Sequence, residues 1–274
     1  MENEIELKIM LSPENVGPVT AWLNGQVCLE KVQLELGNTY YDTADQFFAG
    51  QKMGLRVRQQ NGQYELTLKT KGNIVGGLHI RPEYNLPLEN AEPDFKRLNS
   101  HYNLQMPELG QLKALFSTDF TRQTWLIEQG QSQLEIALDQ GLIKNQFGSE
   151  AICELELELK SGRVEDLFAF LRELPKYDGM WLSSLSKAQR GYLVGNQARI
   201  AKEIEKLTAC YDSTKPQASQ YQLLQQLADF LRLDPSNPGL QAYFPEIKSV
   251  ADLKSAAYLA HNLTILQHNL VNLS

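Results

Sequence analysis

The chain has 274 residues, 42% hydrophobic and 22% charged, and its 26 Lys and Arg against 33 Asp and Glu leave a formal charge of −7. An acidic total excludes a duplex-binding surface, which must neutralise phosphates along its length, so no nucleic-acid partner is expected, although a local basic cavity stays open. No stretch approaches the ~20 apolar residues of a membrane span, and the Met-Glu-Asn-Glu start has neither the basic residues nor the apolar run of a signal peptide, so the expectation is a cytoplasmic chain off the membrane. In chain order, alternation predicts a first strand at 4–11, and Ser12-Pro13 then opens a helix over 12–25. Strands at 54–60 and 63–71 are joined by Asn61-Gly62, a hairpin dipeptide, and Gly76-Gly77 opens another at 78–86. The stretch 99–107 reads as a loop with His101 on the surface. Strands at 120–128, 133–141 and 152–161 follow, then a helix over 162–174 with Val164, Leu167, Phe168 and Leu171 at helical spacing. Near residue 196 the texture changes to amphipathic helix, at 219–232 and 250–272, around a Pro- and Gly-containing loop at 234–245. The fold class is α+β, with a β-rich unit over 1–196 and a short α-helical region over 197–274. Cys28, Cys153 and Cys210 are widely separated, which gives no disulfide framework and predicts buried, reduced thiols. Trp125 and Trp181 read as structural.

Residues two apart on a strand share a face, so each strand's polar set follows from parity. Glu4, Glu6 and Lys8 share one face, Arg56 and Arg58 another, and Glu65, Thr67, Lys69 and Lys71 a third. His79, Arg81 and Glu83 follow, then Arg122 with Thr124, then Glu135, Ala137 and Asp139. The row Glu154, Glu156, Glu158 and Lys160 stands opposite Leu155, Leu157 and Leu159. A solvated face intersperses opposite charges with neutral spacers, whereas whole strands here carry nearly pure acid or pure base, which favours a site. If such strands close into a barrel with this face inward, the carboxylates need a divalent cation between them and the Arg and Lys groups need a polyanion. A polyphosphate bound with Mg²⁺ or Mn²⁺ satisfies both, because hard cations prefer oxygen ligands and guanidinium forks fit phosphate oxygens.

Glu4-Ile5-Glu6-Leu7-Lys8 is an E-x-E-x-K signature, extended by Tyr40-Tyr41-Asp42-Thr43, Leu55-Arg56-Val57-Arg58, Leu66-Thr67-Leu68-Lys69, Arg81-Pro82-Glu83-Tyr84, Ala137-Leu138-Asp139, Glu154-Leu155-Glu156 and Ser186-Lys187-Ala188-Gln189-Arg190-Gly191. On these motifs residues 1–195 resemble the CYTH, or triphosphate tunnel metalloenzyme, superfamily, and within it the bacterial inorganic triphosphatases. The resemblance implies a closed antiparallel barrel of about eight strands that hydrolyses tripolyphosphate to pyrophosphate and phosphate with metal ions. Carried over by position, it implies that Glu4, Glu6, Glu154 and Glu156 serve the metals, with Glu158 as an alternative member of the last pair. It implies that Lys8, Arg56, Arg58, Lys69, Arg81, Arg122, Lys187 and Arg190 hold phosphates. Lys69 would act as preorganised positive charge at the reacting phosphate, and Glu83 or Asp139 would orient the attacking water.

Many bacterial members of that superfamily continue into a long, histidine-rich helical domain called CHAD. Here the tail carries only His261 and His268, two turns apart on one helix face, and is expected to pack on the tunnel or on a partner. Since every motif lies upstream, removal of residues 200–274 is expected to spare activity at least in part. Alternatives on the same fold are a class IV adenylate cyclase and a thiamine or nucleoside triphosphatase; from another class comes a non-catalytic polyphosphate-binding module.

Overall fold

Strand alternation organises the molecule, which a computed structural model describes over residues 2–271. Ten strands form one antiparallel sheet: β1 (Glu2–Leu11), β2 (Glu30–Asp42), β3 (Gly54–Gln60), β4 (Gln63–Lys69), β5 (Asn73–Val75), β6 (Leu78–Leu88), β7 (Lys113–Gln129), β8 (Ser132–Asn145), β9 (Gly148–Ser161) and β10 (Met180–Leu182). The order β1-β9-β8-β7-β2-β3-β4-β6 returns to β1, because β6 pairs with the first half of β1, and this closes an eight-stranded barrel. β5 adds to β6 outside that ring, and β10 adds to the far half of β1. Closure removes exposed edges and fixes which face of every strand points inward. Asn61 and Gly62, with φ 52° and 77°, form the tight turn between β3 and β4 that their left-handed tolerance permits.

The apolar parity faces outward. Leu7, Ile9, Leu155 and Leu157 are fully buried beneath α1 (Val16–Asn24), α4 (Val164–Glu173) and α9 (Ala256–Val271), in one core that includes Leu23, Phe170, Leu171, Leu259, Leu263 and Leu266. A second outer core, around Leu55, Leu66, Leu68 and Leu86, lies under α2 (Phe47–Gly50) and α3 (Phe95–Tyr102). The remaining helices are α5 (Lys187–Leu193), α6 (Gln197–Cys210), α7 (Tyr221–Leu233) and α8 (Pro238–Gln241), which build a third core from Leu193, Ile200, Leu227, Phe230, Leu231 and Leu240. Among the described residues no helix is long and apolar enough to cross a membrane.

Several sequence expectations change. The helix expected over 12–25 begins as a 3₁₀ turn, Pro13–Asn15, and 250–272 divides into a 3₁₀ turn, Asp252–Lys254, and α9; residue 272 lies outside the described residues. His101 is exposed as expected but sits in the last turn of α3, a helix capped by the Asp94 side chain, rather than in a loop. The loop at 234–245 contains α8. β2 and α6 were not expected, and β7, β8 and β9 run longer than their alternation suggested because cross-strand pairing continues to Phe116 opposite Asn145. Cys210 is exposed and Cys28 and Cys153 are half-buried, so the thiols are free but not buried.

The C-terminal helices are bound to the barrel by more than apolar contact. Asp229 of α7 accepts from the Ser184 amide at 2.8 Å and hydroxyl at 2.7 Å, and the Gly76 amide donates to Gln222 at 2.5 Å. Trp181 of β10 lies under Arg232 and Lys254. Removing residues 200–274 therefore uncovers the barrel's own leucines, and the expected outcome is an aggregating protein rather than a working tunnel. The milder Leu266→Ala, at a fully buried α9 position, is expected to cost ~2–5 kcal/mol, read as a lower urea midpoint.

Candidate active site

With leucines outside, the alternate parity lines a lumen, part of a cavity of about 1640 Å³. Cross-strand register stacks its charges into rows: Arg122 is opposite Asp139 and Asp139 opposite Glu154, while Lys8 is opposite Glu156 and Arg81 opposite Glu4. α5 reaches these rows from one end of the barrel. Its start is fixed by a capping box in which the Ser186 hydroxyl accepts from the Gln189 amide and the Gln189 side chain accepts from the Ser186 amide. Gly191 allows the close approach: a Cβ there would lie 2.1 Å from the Phe116 ring. Tyr192 donates its hydroxyl to Asp42 at 2.7 Å, and Asp42 also accepts from the amides of Thr43, Phe48 and Ala49.

Two ion-pair clusters result. In the first, Lys187 on α5 meets Asp139 at 2.6 Å, Glu154 at 2.5 Å and Glu156 at 3.0 Å, and Lys8 meets Glu154 at 2.9 Å and also Glu156. Arg122 grips Asp139 with two bonds of 2.7 Å and reaches Glu156 at 2.5 Å, and Arg190 holds Glu154 at 2.5 Å and Glu150 at 2.7 Å. One carboxylate oxygen from each of Asp139, Glu154 and Glu156 lies within 4.8 Å of the others, a spacing that suits a metal ion. In the second cluster Lys69 bridges Glu4 at 2.5 Å and Glu83 at 3.0 Å, while Arg81 reaches Glu4 at 3.4 Å and Glu6 at 3.1 Å. Arg56 stands 4.0 Å from Glu83. Glu158 is apart from both, at 2.9 Å from Lys160 and in register with Glu6 and Glu135.

Burial alone would raise the carboxyl pKa values, but Lys187, Lys8 and Arg190 override it at Glu154 and hold that group at about 2. Lys69 and Arg56 do the same at Glu83, also about 2. Burial and Arg81 push His79, fully enclosed behind Glu6, down to about 3, so it is neutral. Arg58 is the odd cation. It donates to Asn38 at 3.1 Å but has no carboxylate at ion-pair distance among the described residues, and burial together with Arg56 and Arg122 lowers it to about 10. The Arg56 Nε and the Thr67 hydroxyl, both on the cavity wall, are buried without a hydrogen-bond partner.

Sequence reasoning quoted Tyr40 within a motif but gave it no role, and missed Asn38 and the α6–α7 wall. Tyr40 stacks on Phe116 at 4.5 Å beside Arg56, and burial, which would raise its phenol, is outweighed by Arg56 and Lys187. Recognising β2 as a strand was the signal that exposes Asn38 and Tyr40 as a lumen pair. Arg199, Lys202 and Lys206 of α6 also line the cavity, with Leu223 and Phe230 of α7.

These shifts set the pH response of the metal-free protein. A carboxyl lowered from 4.5 to about 2 contributes stability that is complete above pH 4.5 and lost as the pH falls toward 2. His79, lowered from 6.5 to about 3, adds stability that is complete above pH 6.5 and lost on the way down to 3. The urea midpoint is therefore expected to fall from pH 6.5 downward, and His79→Gln to flatten the part above pH 4.5. A midpoint unchanged down to pH 3 contradicts the assignment.

The CYTH domain model matches residues 2–192. An inorganic triphosphatase of Haemophilus influenzae is 48% identical over 198 residues, covering 72% of this chain and 56% of that protein, so the chain spans about half the length of the curated relative. Among solved structures, a Hippeastrum protein known as a candidate adenylyl cyclase, with a dominant triphosphatase activity, superposes with a TM-score of 0.50 at 20% identity, over 71% of this chain and 96% of that one. That likeness extends to the fold. The closed barrel, its inward charges and the matched residues agree, and the chain belongs to the CYTH domain family.

Proposed function

We propose that the tunnel hydrolyses inorganic tripolyphosphate to pyrophosphate and phosphate with Mg²⁺ or Mn²⁺. The observation that carries this reading is the coexistence, in one lumen, of a three-carboxylate cluster on β8 and β9 with guanidinium groups on β3 that lack an anionic partner at Arg58 and any acceptor at the Arg56 Nε. Carboxylates so arranged fit a hard cation, and donors without acceptors fit the oxygens of a polyanion. The Haemophilus relative is named for this activity, which supports the same substrate.

Asp139, Glu154 and Glu156 would hold the ion, and Glu4 and Glu6, on β1 beside β9, would serve a second one on releasing Lys69 and Arg81. A bound ion supplies charge for the phosphate oxygens and makes water nucleophilic at neutral pH. Lys8, Arg56, Arg58, Lys69, Arg81, Arg122, Lys187 and Arg190 supply fixed positive charge, which stabilises the leaving pyrophosphate as the bridging P–O bond breaks and the water oxygen bonds to the terminal phosphorus. Between the two water-orienting candidates Glu83 is favoured. Asp139 has both oxygens engaged by Arg122, whereas Glu83 retains some exposure. At a pKa of about 2 Glu83 orients water by accepting a hydrogen bond rather than by taking the proton. Residues 1–196 are proposed as the tunnel unit and 197–274 as a helical region built onto it, in a reducing cytoplasm that suits three free cysteines.

Phosphate release from tripolyphosphate, ATP, thiamine triphosphate and pyrophosphate, with cyclic AMP followed alongside, is expected to give the highest kcat/KM for tripolyphosphate; ATP preferred with cyclic AMP as product overturns the choice. Glu156→Gln is expected to weaken Mn²⁺ binding measured by calorimetry and to lower turnover, with partial rescue at high metal. Arg58→Ala is expected to lower kcat/KM by about 10–100-fold without metal rescue, the range that loss of one charge-assisted contact implies. Wild-type turnover and metal binding in Glu156→Gln mean that the carboxylate row has no catalytic part.

A further inference from the structure

Lys187, which meets three lumen carboxylates, opens α5, and the entry of α5 is set by the short link 183–186 that joins it to β10. The barrel holds the start of that link. The Ser183 amide donates to the Lys8 carbonyl at 3.3 Å, where β1 passes from pairing with β6 to pairing with β10. The Lys8 amide is fixed at the same point by the Gly77 carbonyl at 2.9 Å. The next residue of the link is taken by α7: the Oδ2 of Asp229 accepts from both the Ser184 amide and the Ser184 hydroxyl, at 2.8 and 2.7 Å. The Leu185 amide then donates to the Ser183 hydroxyl at 3.2 Å, and Ser186 caps α5. Ser183, Ser184, Ser186 and Asp229 are all buried. Only Leu185 and Ser186 separate the Asp229 contact from Lys187.

Cohesion alone does not call for this carboxylate. Leu227, Ala228, Phe230 and Leu231 of α7 are already buried, and an apolar side chain at 229 would avoid the desolvation cost of an enclosed charge. Instead α7 buries the charge and supplies its counter-charge one turn on, where Arg232 reaches the Asp229 Oδ1 at 3.0 Å and the Leu253 carbonyl at 2.9 Å. An ion pair fixed in this way contributes geometry more than stability. We infer that Asp229 is a positioning residue for the lumen reaction, holding Ser184 so that α5 enters with the Lys187 ammonium over Asp139, Glu154 and Glu156. The inference rests on the triphosphate reading of the lumen. Placement matters there because fixed charge stabilises a phosphoryl-transfer transition state only where the charge develops, and a displacement of ~1 Å costs ~10²-fold in rate. Asp229 acts through Lys187, and α7 thereby becomes part of what sets the site.

Tripolyphosphate hydrolysis with Mn²⁺ is measured on the full chain for the wild type, Asp229→Ala, Ser184→Ala and Leu231→Ala, at a temperature where circular dichroism shows each of them folded. Leu231→Ala loosens the same helix without touching the link, so it reports what lost stability does by itself. Asp229→Ala is expected to lower kcat about tenfold with KM within about threefold, and Ser184→Ala, which loses the hydroxyl bond but keeps the amide bond, to lower kcat about fivefold. Leu231→Ala is expected to keep kcat within about twofold although its urea midpoint falls. In a Lys187→Ala background, Asp229→Ala is expected to change kcat by less than about twofold, since the group it places is gone. Wild-type kcat in Asp229→Ala overturns the inference. An equal loss of kcat in Leu231→Ala overturns it as well, and so does an effect of Asp229→Ala that persists in full without Lys187. If Asp229→Ala does not fold, Ser184→Ala decides by the same comparisons. A wild type that does not hydrolyse tripolyphosphate overturns the triphosphate reading and this inference together.

Discussion

Closing a charged sheet on itself imposes the constraint on which the remaining structure depends: ionised groups that would otherwise face water must face one another. Each carries a desolvation penalty of several kcal/mol, which only close opposite charge and full hydrogen bonding offset. Lys8, 1% exposed, meets that demand between Glu154 and Glu156, and Arg122 meets it with a two-bond grip on Asp139. The barrel is therefore inverted relative to a ligand-free one, with its leucines outside and its ions inside. An outer layer of helices is a necessity of that inversion, because an apolar exterior left bare would aggregate.

The same constraint explains α5. Acidic residues at the β8 and β9 positions Asp139, Glu154 and Glu156 outnumber the cations their own strands supply, and Lys187 and Arg190 enter from a separate helix to complete the balance. That helix is held in place by groups that never touch the lumen charges: the Ser186–Gln189 box, the Gly191 contact with Phe116 and the Tyr192–Asp42 bond. Balance is not complete everywhere. Arg58 and the Arg56 Nε are left without anionic partners, and a lumen that is compensated at its acidic rows but not at these cations is built to accept negative charge. The C-terminal helices serve both ends of this design, since α9 covers the barrel's leucines and α6 extends the cavity wall.

The sequence by itself determined the alternation, and with it the lumen residues. Glu4, Glu6, Lys8, Arg56, Arg58, Lys69, Arg81, Arg122, Asp139, Glu154 and Glu156 were all legible, because a strand's period of two assigns a face without knowledge of its neighbours. β2 was not legible as a strand, since Glu30–Asp42 mixes exposed charge with Gly37 and becomes a strand through pairing on both sides with β3 and β7. Tertiary structure alone decided which charges meet. Asp139, Glu154 and Glu156 gather while Glu158 turns to Lys160, because register fixes partners across strands far apart in sequence. It also decided that Lys187 reaches three carboxylates and that α6 faces the cavity; a helical pattern states which side of a helix is apolar but not which surface that side will find.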